Sequence, residues 1–130
     1  MRPIILAVDD SKGLRLLIAR ALGGFHCEVA EASNGYNAFF AIERARPDLI
    51  LLDVSMPVMD GIETLTRLKD TPELADIPVI MLTSPANHAI MDVIAKLGVS
   101  GTLMKPCTEA ALVENICAVL KLKPAKQGLH

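Results

Sequence analysis

Five side chains interrupt apolar runs of this sequence at positions where they could do chemistry. Asp9 and Asp10 follow Ile4-Ile5-Leu6-Ala7-Val8, Asp53 follows Leu49-Ile50-Leu51-Leu52, Thr83 follows Val79-Ile80-Met81-Leu82, and Lys105 follows Thr102-Leu103-Met104. Carboxylates gathered about 5 Å apart repel by roughly 3 kcal/mol per pair at an effective dielectric of about 20. Such a trio either takes up protons or holds a cation. Oxygen donors suit a hard ion, and Mg2+ keeps several waters while binding one or two carboxylates plus a phosphate oxygen. A carboxylate can also accept a phosphoryl group, becoming an aspartyl phosphate. Beside it, a lysine supplies a point charge and a threonine hydroxyl supplies a hydrogen-bond donor for phosphoryl oxygens. Singly, each residue has a duller reading: Asp10 or Ser11 as a helix cap, Asp53 as a loop aspartate, Lys105 as a solvated lysine. Only their joint placement points to chemistry.

The elements between them must bring the five together. Three of the runs are almost wholly apolar, as parallel strands covered on both faces are. Cys27-Glu28-Val29-Ala30 is less so and suits an edge strand. Leu14, Leu17, Ile18, Ala21 and Leu22 form one helical stripe, ended by Gly23-Gly24. Residues 35–46 predict a second helix, with Phe39 and Ile42 inward and Pro47 as its stop. A third opens on Asp60-Gly61-Ile62-Glu63, which reads as a capping box, so Asp60 is assigned to capping and not to catalysis. Ile90, Val93, Ile94 and Leu97 predict a fourth, closed by Gly98, and Thr108 caps a fifth with Leu112, Ile116, Val119 and Leu120 inward. The order is βα five times over. Parallel strands joined by helices need right-handed crossovers with helices on both faces, and the strand order 2-1-3-4-5 is common for five units. In that order strands 1, 3, 4 and 5 are neighbours. The five polar side chains then meet beyond the carboxyl ends of the strands, where open parallel sheets bind ligands. The expected division is one domain over residues 1–122 and a short solvated tail over residues 123–130.

Composition excludes several classes. The chain has 130 residues, 52% of them hydrophobic and 22% charged, enough apolar material for one core without staples. A net charge of −2 without a basic stripe gives no nucleic-acid surface. No apolar run exceeds five residues, against roughly 18 for a membrane span. Cys27, Cys107 and Cys117 are odd in number and lack C-x-x-C spacing, so the expectation is three reduced thiols and a cytoplasmic location. His26 and His88 lack metal-ligand spacing with them, which argues against zinc. Met56 and Met59 read as loop packing.

Val8-Asp9-Asp10-Ser11, Leu52-Asp53-Val54-Ser55-Met56-Pro57-Val58-Met59-Asp60-Gly61, Leu82-Thr83-Ser84 and Met104-Lys105-Pro106 together resemble the response-regulator receiver domain of the chemotaxis single-domain type. The resemblance runs over about residues 3–122 and rests on four motifs in the right order, each at a strand end. It implies a flavodoxin-like doubly wound (βα)5 fold. It further implies a two-component switch in which Asp53 is the phosphoacceptor. By the same resemblance Asp10, Asp53 and the Ser55 backbone carbonyl ligate Mg2+, with Asp9 acting through water. Thr83, Lys105 and the Ser84 backbone N–H contact the phosphoryl oxygens, and the Lys105-Pro106 bond is cis. The implied partners are a sensor histidine kinase or phosphotransfer protein and a downstream target that reads the face formed by helix 4, strand 5 and helix 5, including His88, Met91 and Thr102.

Two positions depart from the family pattern. Thr102 stands where an aromatic residue often moves on activation, and Cys107 follows Lys105-Pro106 where phenylalanine is usual. The acceptor chemistry is untouched, but an aromatic switch cannot operate, leaving Thr83 and the loop after strand 4 to respond. Ser55 and Pro85, which flank the path of attacking water in the family, offer neither acid nor amide, so a moderately long-lived phosphoryl group is expected. With no output domain in the sequence, output is expected through a partner, or the protein serves as a phosphate sink. Rival readings are a binding module that is never phosphorylated, which the complete acidic set disfavours, and an aspartate-nucleophile phosphohydrolase. The latter needs Asp-x-Asp, whereas Asp53 is followed by Val54-Ser55.

Overall fold

A strand buried on both faces has no polar side, and the three richest apolar runs behave this way. In the computed structural model, which describes residues 2–125, β1 (Ile4–Val8), β3 (Leu49–Asp53) and β4 (Val79–Thr83) form the centre of a parallel sheet. β2 (Glu28–Ala32) and β5 (Gly101–Met104) are its edges, and the order is β2-β1-β3-β4-β5, as expected. Alternate strand residues serve two cores. Ile5, Ala7, Leu49, Leu51, Ile80 and Leu82 face α1 (Lys12–Ala21) and α5 (Glu109–Val119). Leu6, Val8, Ile50, Leu52, Val79 and Met81 face α2 (Gly35–Arg44), α3 (Gly61–Asp70) and α4 (Met91–Leu97). Each such leucine or isoleucine, fully removed from water, contributes about 1.5–3 kcal/mol before entropy is counted. Among the described residues no helix is long and apolar enough to cross a membrane.

Side-chain caps set where four helices begin. Ser11, Asn34, Asp60 and Thr108 accept hydrogen bonds from the backbone N–H groups of Leu14, Asn37, Glu63 and Ala111. Ser11 therefore caps α1, which leaves the Asp10 carboxylate free. Asp60 caps α3 as expected, while the Glu63 carboxylate turns to Arg67, 3.0 Å away.

Four expectations need adjustment. β2 starts one residue later and runs to Ala32; Glu28 and Glu31, three apart, point to opposite faces, and both reach solvent because β2 is an edge strand. α2 stops at Arg44, two residues short of 46. Arg46 precedes Pro47, which disfavours helical backbone there, and Ala45 is already extended at φ −159°, ψ 120°. Before α4 the chain makes a 3₁₀ helix over Pro85–Ile90. Met91 then turns toward the core with Ile90, Ile94 and Leu97, which puts Val93 about a quarter-turn off the buried face at 44% exposure. Lastly, residues 123–125 keep Lys123 and Pro124 exposed but are tied back to the fold. The Lys123 carbonyl accepts from the His26 N–H at 2.7 Å and the Ala125 N–H donates to the Gly24 carbonyl at 2.9 Å, pinning this segment beside the α1–β2 connection. Residues 126–130 lie outside the described residues.

Two glycines permit the close packing beneath the carboxyl ends of β1 and β3. The Gly35 N–H donates to the Met59 carbonyl at 3.1 Å, and a side chain at Gly35 would overlap the buried Thr64 hydroxyl. The Gly61 N–H donates to the Val54 carbonyl at 2.8 Å, and a Cβ at Gly61 would overlap the Asp53 carbonyl oxygen. Because backbone cannot yield as a flexible side chain can, Gly61→Ala is expected to destabilise the protein by about 1–3 kcal/mol. Gly13→Ala is the control: its Cβ would meet only Ser11 Oγ at 3.7 Å. Inside a helix that change should stabilise by up to about 1 kcal/mol. Urea melts of both variants check the contrast, and equal midpoints would refute it.

Candidate functional site

Strand register brings the polar residues to one edge. Val8 is paired with Leu52, Asp53 with Leu82, and Leu82 with Leu103. Asp9 thus ends level with Asp53, and Lys105, two residues past Leu103, overhangs both. Its ammonium lies 2.9 Å from Asp53 Oδ1 and 3.0 Å from Asp9 Oδ2. Asp9 is wholly buried and Asp53 nearly so, whereas Asp10 is exposed at the rim. One oxygen from each of the three carboxylates falls within 4.8 Å of the others. Thr83 is buried at the end of the next strand, and among the described residues its hydroxyl has only the Met104 thioether as partner, 4.0 Å away. A thioether is a weak acceptor, so little holds that hydroxyl in place. Ser55 lies two residues beyond Asp53 in the β3–α3 loop, and Val58 of the same loop has a φ of 69°. A β-branched residue in that left-handed region carries a cost on the order of 1–2 kcal/mol.

The backbone around these groups is tied on every side. Asp9 Oδ1 accepts from the Ser11 N–H at 2.7 Å, and the Asp9 carbonyl accepts from the Arg15 guanidinium at 2.6 Å. Arg15 is held in turn by Glu31 at 2.9 Å. The Lys105 N–H donates to the Thr83 carbonyl, and the Lys105-Pro106 peptide bond is cis, as the resemblance implied. Across the mouth of the site the Asn87 amide joins two loops. Its oxygen accepts from the Ser84 N–H at 3.0 Å and its nitrogen donates to Ser55 Oγ at 3.4 Å.

Burial, followed by the negative charge of Asp9, pushes the Asp53 carboxyl above its ordinary value, against the opposing hydrogen bond and charge of Lys105. For Lys105, burial acts to lower the ammonium, but the hydrogen bonds and charges of Asp53 and Asp9 outweigh it and the net direction is upward. Three carboxylates against one ammonium leave the cluster short of positive charge. Although the ammonium is 3.0 Å from Asp9 Oδ2, that buried oxygen receives no well-directed hydrogen bond. An unsatisfied buried oxygen and an all-oxygen donor set fit a hard divalent cation such as Mg2+, with Asp10 at the open side.

All five residues singled out from the sequence therefore sit at this edge, with Asp9, Asp53 and Lys105 in direct contact. Three supporting residues went unread: Arg15, Asn87 and Met104. For Asn87 there was a signal, Ser84-x-x-Asn87, a capping-box spacing with asparagine in place of glutamate. Arg15 and Met104 act through long-range contacts that carry no local pattern.

Comparison with known proteins agrees with this geometry. The family model "Response regulator receiver domain" matches residues 5–117. The chain is 36% identical to the Bacillus subtilis sporulation initiation phosphotransferase F over 123 residues, covering 95% of this chain and 98% of that protein. It is 38% identical over 117 residues to the phosphate regulon transcriptional regulatory protein PhoB of Pseudomonas aeruginosa, covering 90% of this chain and 51% of that protein. The structure of the Vibrio cholerae chemotaxis response regulator CheY4 superposes with a TM-score of 0.83 at 30% identity, over 92% of this chain and 100% of that one. The chain spans about half or less of the length of most of the curated relatives it matches. Receiver domains are signalling modules rather than enzymes of the ordinary kind, and in general they bind Mg2+ in an acidic pocket of the type formed by Asp9, Asp10 and Asp53.

The raised Asp53 carboxyl has a definite sign in stability. Its contribution favours the fold at low pH and is lost as pH rises through its folded value, because the metal-free pocket disfavours the carboxylate. A divalent cation reverses this by binding the ionised form. Saturating Mg2+ at about 100 times its dissociation constant should therefore stabilise the protein by about 2.7 kcal/mol near pH 7.5. The gain should shrink toward pH 5, where protons compete for the same oxygens. Thermal melts with and without Mg2+ at both pH values test this; a melting temperature indifferent to Mg2+ at pH 7.5 would refute the cation site.

Proposed function

The chain belongs to the response regulator receiver domain family, and from that premise we propose that Asp53 accepts a phosphoryl group from a histidine kinase or phosphotransfer protein and that the β4–α4 region reports its arrival. The observation that carries this reading is the Lys105 ammonium bridging Asp53 and Asp9 at 2.9 and 3.0 Å beside the exposed Asp10. Asp10, Asp53 and the Ser55 carbonyl would hold Mg2+, with Asp9 reaching it through water. When bound, the ion neutralises charge on the transferring group.

In the proposed reaction an Asp53 carboxylate oxygen attacks phosphorus, an oxygen–phosphorus bond forms, and the donor's nitrogen–phosphorus or acyl oxygen–phosphorus bond breaks. Burial raises the Asp53 carboxyl, and a cation sharing the pocket would favour its ionised form, the form that acts as nucleophile. Lys105 then exchanges its carboxylate contact for a phosphoryl oxygen, and the Ser84 N–H becomes a further donor once it leaves the Asn87 amide oxygen. The product carries about two negative charges, and the Thr83 hydroxyl, held among the described residues only by Met104, is a weakly committed donor able to move toward it. That motion pulls on Ser84 and the 3₁₀ turn at Pro85–Ile90. Shifting such an equilibrium from 1:99 to 99:1 requires about 5.5 kcal/mol of differential stabilisation. With Thr102 exposed on β5, the downstream partner would read the α4–β5–α5 face without an aromatic switch. Similarity to a phosphotransferase over 98% of that protein's length also favours onward transfer of the phosphoryl group as the output.

Acetyl phosphate with Mg2+ should label the protein stoichiometrically, and Asp53→Ala should abolish labelling. Lys105→Met should slow it by about 10²–10³, the usual loss for one charge-stabilising donor. Thr83→Ala should still be labelled but should lose the label-induced backbone amide NMR shifts expected over residues 84–97. Label on Asp53→Ala, or none on the wild type, would remove the proposal. The lifetime of the label is a separate expectation. Neither Ser55 nor Pro85 offers an acid or amide to orient a water, and the Asn87 amide is bonded to Ser84 and Ser55 most of the time. The isolated protein should therefore keep its phosphoryl group through gel filtration; loss during mixing would refute that point alone.

A further inference from the structure

Three of the four aromatic residues of this chain lie on α2, and two of them are not used to build the core. Tyr36 and Phe40 are 54% and 52% exposed, and their rings stack edge to face at the surface, with centroids 5.2 Å apart and planes at 82°. Arg44 continues the same i, i+4, i+8 row at the exposed end of the helix. Among the described residues Arg44 has no ion-pair partner, whereas Arg2, Arg15, Arg20, Arg46 and Arg67 are all paired. Shallow grooves flank the ridge on both sides. One, of about 380 Å3, runs past Asn37 and Phe40 to Arg44, and the other, of about 200 Å3, is lined by Tyr36, Phe39 and Glu43 with Met59 and Arg67.

We propose that the Tyr36–Phe40–Arg44 row of α2 is a homodimer contact, on which a second copy of this chain packs antiparallel across a two-fold axis. The row is complementary to itself. With the axis at Phe40, the two Phe40 rings meet, and four residues away on either side the unpaired Arg44 guanidinium of one copy faces the Tyr36 ring of the other. Such an isologous pairing joins cation to aromatic face twice over. One helix ridge is a small footprint, so the dimer belongs to the weak, fast-exchanging class. The surface lies over β1 and β2, away from the α4–β5–α5 face assigned to downstream readout.

Sedimentation velocity of the full chain, from about 20 μM to about 1 mM, covers the affinities expected of a contact below about 1,200 Å2. The wild type should shift toward the dimer across this range. Phe40→Asp and Arg44→Glu should each raise the dissociation constant by about tenfold or more. Adding Tyr36→Arg to Arg44→Glu re-creates the antiparallel cross-pair with its charges exchanged and should restore association. All three positions are exposed, so the variants are expected to fold, and unchanged circular dichroism confirms it. A wild type that stays monomeric, as it would if the row serves a different protein, overturns the proposal. A dimer insensitive to Phe40→Asp, or a double variant no better than Arg44→Glu alone, overturns it as well.

Discussion

One lysine serving two buried carboxylates fixes where three strand ends can lie. At about 3 Å and an effective dielectric near 20, each contact of the Lys105 ammonium is worth about 5 kcal/mol of gross attraction, most of it offset by desolvation. The geometric constraint is stronger than the net energy. The ammonium can reach Asp53 and Asp9 together only if β5 is staggered so that Lys105 overhangs β3 and β1, and the observed register does this. Without the lysine, two acids would remain buried with no counter-charge. With it, the pocket is still short of positive charge, a deficit that costs the metal-free protein stability and that a bound divalent ion would relieve.

The order of strands and the membership of the site were legible because both depend on local patterns. Wholly apolar runs report burial on both faces, and a polar residue at the end of each run reports the carboxyl edge. Asp9, Asp53, Thr83 and Lys105 could be placed together once the sheet order was assumed. Less legible were features decided by tertiary contact. Val93 fits a helical stripe as well as Met91 does, and only the switch from 3₁₀ to α geometry selects Met91 for the core. The pairing of residues 123–125 with 24–26 involves backbone groups, which leave no trace in side-chain pattern. Arg15 illustrates the same point inside the site, since its bond to the Asp9 carbonyl joins positions that share no periodicity.

The glycines and the aromatic residues divide the molecule in a related way. Gly35 and Gly61 lie where backbone from α2 and α3 closes on the loop that follows Asp53, so the N-termini of both helices are fastened to the floor of the site. α2 therefore has one end joined to the chemistry and its outer face given to Tyr36 and Phe40. The sheet edges are treated differently. β2 is guarded by the outward charges of Glu28 and Glu31, while β5 is short and exposes Thr102 and Met104.

The side-chain bridge from Asn87 to Ser55 governs how readily a bulky donor can approach. A partly exposed hydrogen bond between neutral groups contributes about 1 kcal/mol or less, which corresponds to an open fraction on the order of one molecule in six. Loop motions of this kind occur within nanoseconds to microseconds. The entrance is therefore a breathing gap rather than a lid, and a visiting phosphohistidine would find the acids accessible without waiting for any slow rearrangement.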